Sequence, residues 1–173
     1  NGGGTSGTVT LNLDEYPSNT FAYQSHTNGI FMPMVKGGLF TTQTGTVTGA
    51  LRIDLPSYKS EMMLSFTVDI YEYDTDRSAT YRVGGYNYLD ANATWYNTFA
   101  YCLQDSDNRD LPVYFMSDTT NSKQYVLIGS TSTTWSYPQV VVRDALGGYN
   151  TSSSDFLAAW EVSFVTTTPG NTN

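Results

Sequence analysis

The chain has 173 residues and a formal net charge of −8, from eight Lys and Arg against sixteen Asp and Glu, with no stretch that concentrates the basic residues. Phosphate backbones and anionic bilayer surfaces repel such a chain, which disfavours nucleic-acid binding and membrane adsorption. No run approaches the ~18 apolar residues of a membrane-spanning helix, and a lone cysteine, Cys102, excludes an internal disulfide framework.

Composition sets the class. Charged residues make up 14%, against roughly 25% in an average domain. Fourteen Tyr, eight Phe and three Trp join abundant Thr, Ser, Asn and Gly. Aromatic and β-branched residues suit a half-buried pleated surface, whereas the Ala, Glu, Lys and Leu that populate helix surfaces are scarce. The expectation is an all-β chain.

In chain order, residues 1–7 (Asn1-Gly2-Gly3-Gly4-Thr5-Ser6-Gly7) lack a basic region and an apolar run, so they read as a flexible connector from a longer parent and not as a signal peptide. Thr8–Leu13 reads as the first strand. Leu51, Ile53 and Leu55 alternate with Arg52 and Asp54. Met62, Leu64, Phe66, Val68 and Ile70 alternate with a polar set, Ser65, Thr67 and Asp69. A period of two places one set inward and the other toward solvent.

Ser78–Tyr88, Trp95–Leu103 and Leu111–Met116 follow as strands. Tyr125–Ile128, and Val140 to Val142 after Pro138, are apolar on both faces. They suit central strands covered on both sides, or strands whose outer face meets a second subunit. Trp160, Val162 and Phe164 alternate around Glu161 and Ser163.

Polar clusters at Asp90–Asn92, Asp105–Asn108, Asp118–Ser122 and Asn150–Asp155 mark turns between antiparallel strands. Asp155–Ala159 is the one short helical candidate. The reading is a single domain over residues 8–167, an antiparallel β-sandwich of about ten short strands, with a barrel as the alternative. Residues 168–173 read as a frayed tail.

Catalytic constellations are thin. His26 is the only histidine, so any Ser-His-Asp arrangement must use it, and no Gly-x-Ser-x-Gly elbow lies near it. Glu161 between Trp160 and Val162 invites a hydrolase reading with a second carboxylate, but the alternation places it toward solvent. Asp105-Ser106-Asp107-Asn108-Arg109-Asp110 begins like a calcium loop. It then fails, with Asp110 where Gly belongs and Met116 where the bidentate Glu belongs. A single His and a single Cys build no zinc site within one chain. The expectation is neither an enzyme nor a cofactor- or metal-binding protein.

Binding fits the composition better. Tyr71, Tyr73, Tyr86, Tyr88, Trp95, Tyr96, Trp135 and Tyr137 fall next to turns, among Asn, Ser and Thr. Tyr and Trp supply rigid contact area with a polar tip, and their faces suit the apolar faces of sugars. The three Trp are assigned to core or subunit interface. The candidate ligand contacts are Tyr73, Asp74, Asp76, Tyr88, Asp90, Asn92, Asp105, Asp107, Asn108 and Arg109, where aromatic and polar groups coincide at expected loops.

Several blocks carry a resemblance. Tyr81-Arg82-Val83-Gly84-Gly85-Tyr86-Asn87-Tyr88 followed by Trp95-Tyr96-Asn97-Thr98 is similar to a recurrent block in the C-terminal regions of bacteriophage tail-fibre proteins. So is Ile128-Gly129 followed by Thr134-Trp135-Ser136-Tyr137-Pro138-Gln139-Val140-Val141-Val142-Arg143-Asp144. Gly148-Tyr149 and Trp160-Glu161-Val162-Ser163-Phe164-Val165 resemble that family's final strands.

The likeness covers roughly residues 60–166, more loosely 21–55. It implies a homotrimeric fibre tip on the virion surface, joined to an upstream fibre segment. Such a tip binds a bacterial surface glycan or outer-surface protein without catalysis and without entering the membrane. A purely structural trimerisation module is the nearest alternative. A polysaccharide depolymerase or esterase domain is the alternative of a different class. Gly84, Gly85 and Pro138 match motif positions and read as backbone requirements, a bulge or close approach for the glycines and a strand opening for the proline.

Overall fold

The computed structural model describes residues 24–26, 29–56, 62–73, 76–88, 95–118, 123–148, 160–167 and 171–172. The expected strand Thr8–Leu13, the turns at Asp90–Asn92 and Asn150–Asp155, and the helical candidate Asp155–Ala159 lie outside them.

The described residues hold thirteen strands: β1 Gln24–His26, β2 Gly29–Thr41, β3 Thr46–Thr48, β4 Ala50–Asp54, β5 Met62–Glu72, β6 Arg77–Asn87, β7 Trp95–Asp105, β8 Val113–Asp118, β9 Lys123–Ile128, β10 Thr134–Ser136, β11 Pro138–Gly148, β12 Glu161–Val165 and β13 Asn171–Thr172. Every pairing is antiparallel. One sheet runs β1-β2-β11-β5-β6-β7, a second β12-β4-β9-β8-β13, and β10-β3 forms a small two-stranded ribbon. The first two enclose the main core, giving a sandwich-like fold.

The alternation in β5 carries through. Met62, Leu64, Phe66, Val68 and Ile70 are all buried in the main core. At ~1.5–3 kcal/mol for each large apolar side chain, this strand face alone contributes on the order of 10 kcal/mol before entropy is counted. Facing it from the other sheet are Leu51 and Ile53 of β4, Val126 and Ile128 of β9, and Val162 of β12.

The doubly apolar β9 divides between two clusters. Val126 and Ile128 enter the main core, while Tyr125 and Leu127 join Ala50 and Met116 on the opposite face. That opposite face explains a departure from the alternation. Asp54, expected toward solvent, is 4% exposed, because its side of β4 is itself covered. Arg52 compensates it with a forked contact, Nη2 at 2.6 Å and Nε at 3.0 Å from Oδ1, and lies 4.0 Å over the Tyr125 ring.

All three Trp are core residues. The Trp95 indole N–H donates to the Met116 carbonyl at 3.1 Å, tying β7 to β8 across the sandwich. That of Trp135 donates to the Gly49 carbonyl at 2.8 Å. Trp160 meets Phe66 edge-on, with ring centroids 5.4 Å apart.

Bulges break simple periodicity. In β11 the buried positions run Pro138, Val140, Val142, then Ala145 and Gly147. The three-residue step coincides with Asp144 at φ 51° and with a register shift against β5. In β2, register is lost opposite Val142, where Gly37 at φ 85° passes so close to the Trp160 carbonyl that a Cβ has no room. Only glycine adopts that conformation at that approach without strain.

Candidate functional site

The outer face of the six-stranded sheet is the face with its side chains in solvent, and its register can be read as rows crossing the strands. The β11-β5-β6 register aligns Gln139, Tyr71 and Ser78 in one row, flanked on β2 by Thr41. The next row holds Leu39, Val141, Asp69, Thr80 and Gln104. The third holds Met34, Arg143, Thr67, Arg82 and Tyr101. The fourth holds Phe31, Leu146, Ser65, Gly84 and Phe99, and the fifth Met63, Tyr86 and Tyr96.

The third row is a charged belt. Arg82 donates to Ser65 Oγ at 2.6 Å, to Thr67 Oγ1 at 3.1 Å and to the Asp144 carbonyl at 3.2 Å. Arg143 pairs with both Asp69 and Asp144. Its hydrogen bond to Asp69 raises its pKa further above the ordinary arginine value. Thr80 Oγ1 donates to Asp69 at 2.9 Å.

On one side of the belt lies an apolar groove of ≈ 640 Å³ lined by Met63, Leu64, Ser65, Gly85, Tyr86, Asn97, Phe99 and Leu146. Tyr86, Tyr88 and Tyr96 cluster at its end with centroids 6.1–6.4 Å apart. Gly84 and Gly85 shape its floor. A Cβ at Gly84 would collide with the Phe99 ring and stand 2.7 Å from the Leu64 carbonyl. The β6–β7 register slips between Gly84 and Tyr86, with Asn97 at φ 50° taking up the extra residue. The close approach and the bulge expected of these glycines are both present.

On the other side lies a groove of ≈ 360 Å³ whose character is mixed. Tyr71 stands in it with Gln139, Gln104, Ser78, Thr80 and Asp69, beside Leu39 and Val141. Tyr71 is 44% exposed. One ring face and two amides are offered together with two hydroxyl oxygens, that of Thr80 as an acceptor because its proton goes to Asp69. The Asp69 carboxylate is already engaged by Arg143 and Thr80. Among the described residues, no three His, Cys, Asp or Glu side chains gather to hold a metal ion.

The expected ligand residues separate to the two ends of this sheet. Tyr73, Asp76, Asp105, Asp107, Asn108 and Arg109 lie at the end where β5 stops, β6 starts and β7 stops, next to the mixed groove. Tyr88 lies at the far end in the tyrosine cluster; Met63 and Tyr71, eight residues apart, put the ends ~26 Å from one another. Asp74, Asp90 and Asn92 are outside the described residues. His26 is in β1, where it pairs with Gly29, and its side chain is not among those described.

Tyr73 is 67% exposed and meets Tyr137 edge-on at 6.2 Å. Asp76, Asp107 and Asn108 all take left-handed backbone angles, which short polar side chains tolerate best. Asp107 pairs with Arg77 at 2.6 Å, and Asp105 accepts the Arg109 backbone N–H at 3.0 Å. The acidic turn closes on itself and on β6.

Arg109 is built differently from the loop contact expected of it. It is 7% exposed, pairs with the fully buried Glu72, donates to the Thr134 carbonyl at 2.9 Å and lies 5.0 Å over the Trp135 ring. Its guanidinium is spent inside the fold, clasping β5 to β10. Glu161, by contrast, is exposed on β12.

Tyr71, Gln104 and Gln139 were not among the expected ligand residues. Each stands next to the end of a different strand, and only the register brings them into one groove. No family model matches the chain, and no curated protein or solved structure is significantly similar to it.

Proposed function

We propose that the chain is a non-catalytic attachment domain that binds a bacterial surface glycan, as part of a bacteriophage tail fibre. The observation that carries this reading is the mixed groove, where the exposed Tyr71 ring lies among the Gln139 and Gln104 amides and the Ser78 and Thr80 hydroxyls. A sugar ring has apolar C–H faces and a rim of hydroxyls, and this set answers both. The exposed Tyr73 and the turns at Asp76 and at Asp107-Asn108 border the same end and extend the contact surface for a longer saccharide. The fibre context rests on the resemblance of the blocks around Gly84-Gly85, Trp135–Asp144 and Trp160–Val165. Display of several copies would raise avidity ~10²–10⁴-fold over one groove.

The test is an array of bacterial surface polysaccharides probed with the wild-type chain and with Tyr71→Ala and Gln139→Ala. The expected result is binding to at least one neutral saccharide, weakened at least about tenfold by each variant, equivalent to ~1.4 kcal/mol. Thermal stability should hold, because both side chains are outside the core. Array binding unaffected by Tyr71→Ala, or no binding by the wild type, refutes the groove as the receptor site.

A further inference from the structure

The chain has five arginines, all among the described residues, and four of them pair with carboxylates. Arg52 takes Asp54, Arg77 takes Asp107, Arg109 takes Glu72, and Arg143 takes Asp69 and Asp144. Arg82 is the exception. Its partners among the described residues are neutral, the Ser65 and Thr67 hydroxyls and the Asp144 carbonyl. Those bonds engage Nη1 twice and Nη2 once, so the Nε–H and one Nη2–H have no acceptor among the described residues. In a chain of net charge −8, this half-buried guanidinium is fixed in place without being neutralised.

Beside it lies the apolar groove. Ser65, which accepts from Arg82 Nη2 at 2.6 Å, is part of the groove wall. The outward positions of β6 run Arg82, Gly84, Tyr86, and the missing side chain at Gly84 leaves a trough between Leu146 and Ser65 on one side and Phe99 on the other. Met63 and Leu146 on its rim are more than half exposed, and apolar side chains grouped in the open mark binding surfaces. At ≈ 640 Å³ the groove falls within the ~300–1,000 Å³ of small-molecule sites, which combine an apolar lining with a few polar anchors. Arg82 and Tyr86 are four residues apart on one strand, about 13 Å. That is the span of an extended chain of about eight to ten carbons with its head group, at ~1.5 Å per bond.

Charge and shape together select the occupant. The unused N–H groups call for an anion, and a planar carboxylate matches guanidinium geometry. A single negative charge suits the site better than a phosphate dianion, because the rest of the chain repels anions in proportion to their charge. A trough one side chain wide calls for an unbranched apolar body. We propose that this groove binds an aliphatic monocarboxylate, its head on Arg82 and its chain lying over Gly84 toward Tyr86 and Tyr96. The charged belt separates this site from the mixed groove, and the proposal does not rest on the glycan reading.

The test is calorimetric titration of the full chain with octanoate, and with 1-octanol as the uncharged molecule of the same length, while NMR follows the backbone amides. The variants are Arg82→Gln, Met63→Ser and Leu146→Ser. The two serine variants change exposed side chains, so they test the groove even where Arg82→Gln lowers stability. The expected result is one octanoate per chain with Kd below about 1 mM, and shifts at Gly84, Gly85 and Phe99. Octanol should bind at least about tenfold more weakly, folded Arg82→Gln should lose at least about tenfold in octanoate affinity, and each serine variant at least about twofold. No saturable octanoate binding below about 1 mM overturns the proposal. So does octanol binding as tightly as octanoate, so do shifts confined to residues outside the groove, and so does an affinity that both serine variants leave unchanged.

Discussion

Glu72 and Arg109 offer the sharpest test of how this sandwich is held together. Glu72 closes β5 and is fully buried; Arg109 lies in the β7–β8 connection and is 7% exposed. One Glu72 oxygen accepts from Arg109 Nη2 at 2.6 Å and from the Ser136 backbone N–H at 2.8 Å, and the other accepts from Arg109 Nε. Replacing Glu72 with Ala removes the acceptor of three hydrogen bonds and leaves a guanidinium buried against Trp135 with, among the described residues, the Thr134 carbonyl as its remaining hydrogen-bond partner. Breaking one side of such a pair costs ~3–5 kcal/mol. In a domain of this size each 1 kcal/mol lowers Tm by ~2–4 °C, so the melting point should fall by roughly 6–20 °C.

Urea unfolding followed by tryptophan fluorescence measures the loss directly, since Trp135 is the ring under Arg109. The double variant Glu72→Met/Arg109→Met leaves no orphan charge and should be less destabilised than the sum of its single variants by ~2 kcal/mol or more. The reasoning fails if Glu72→Ala stays within about 1 kcal/mol of wild type, a value typical of an exposed pair, or if the two single effects simply add.

Two further outcomes follow from the core. Gly84→Ala pushes a methyl into the Phe99 ring and the Leu64 carbonyl and should cost ~1–3 kcal/mol. Gly85→Ala, whose nearest neighbours are Thr98 atoms at 3.2 and 3.3 Å, should cost less; equal melting points for the two would refute the packing argument. Alkaline pH should unfold the chain through its buried phenols. Burial is the main cause that raises the Tyr81 hydroxyl above its ordinary value of 10.0, opposed by the Leu111 N–H that it accepts, and burial likewise raises Tyr125. The unfolded chain therefore loses these protons first, and above pH 10 stability should fall by ~1.4 kcal/mol per pH unit for each group. Absorbance at 295 nm should show Tyr81 and Tyr125 ionising only with unfolding; fourteen phenols titrating together in a folded chain would contradict this.

What the sequence by itself determined is the class and much of the core. Period-two alternation in Met62–Ile70, Leu51–Leu55 and Trp160–Phe164 identifies inward residues because side chains on a strand alternate faces whatever lies beyond them. The assignment of all three Trp to buried positions and the backbone roles of Gly84, Gly85 and Pro138 were legible for the same local reasons. Tertiary structure decided what alternation cannot carry. The outward face of β4 is covered, so Asp54 is buried where the pattern alone expects solvent. Arg109 sits in a polar, loop-like stretch, and only the fold brings Glu72, thirty-seven residues away, to meet it. The candidate groove is the clearest case. Tyr71 and Ser78 face each other across one hairpin, but Gln139 is far from both in the chain, and it joins their row only because β11 pairs with β5 in this register, a long-range choice that no local run of residues records.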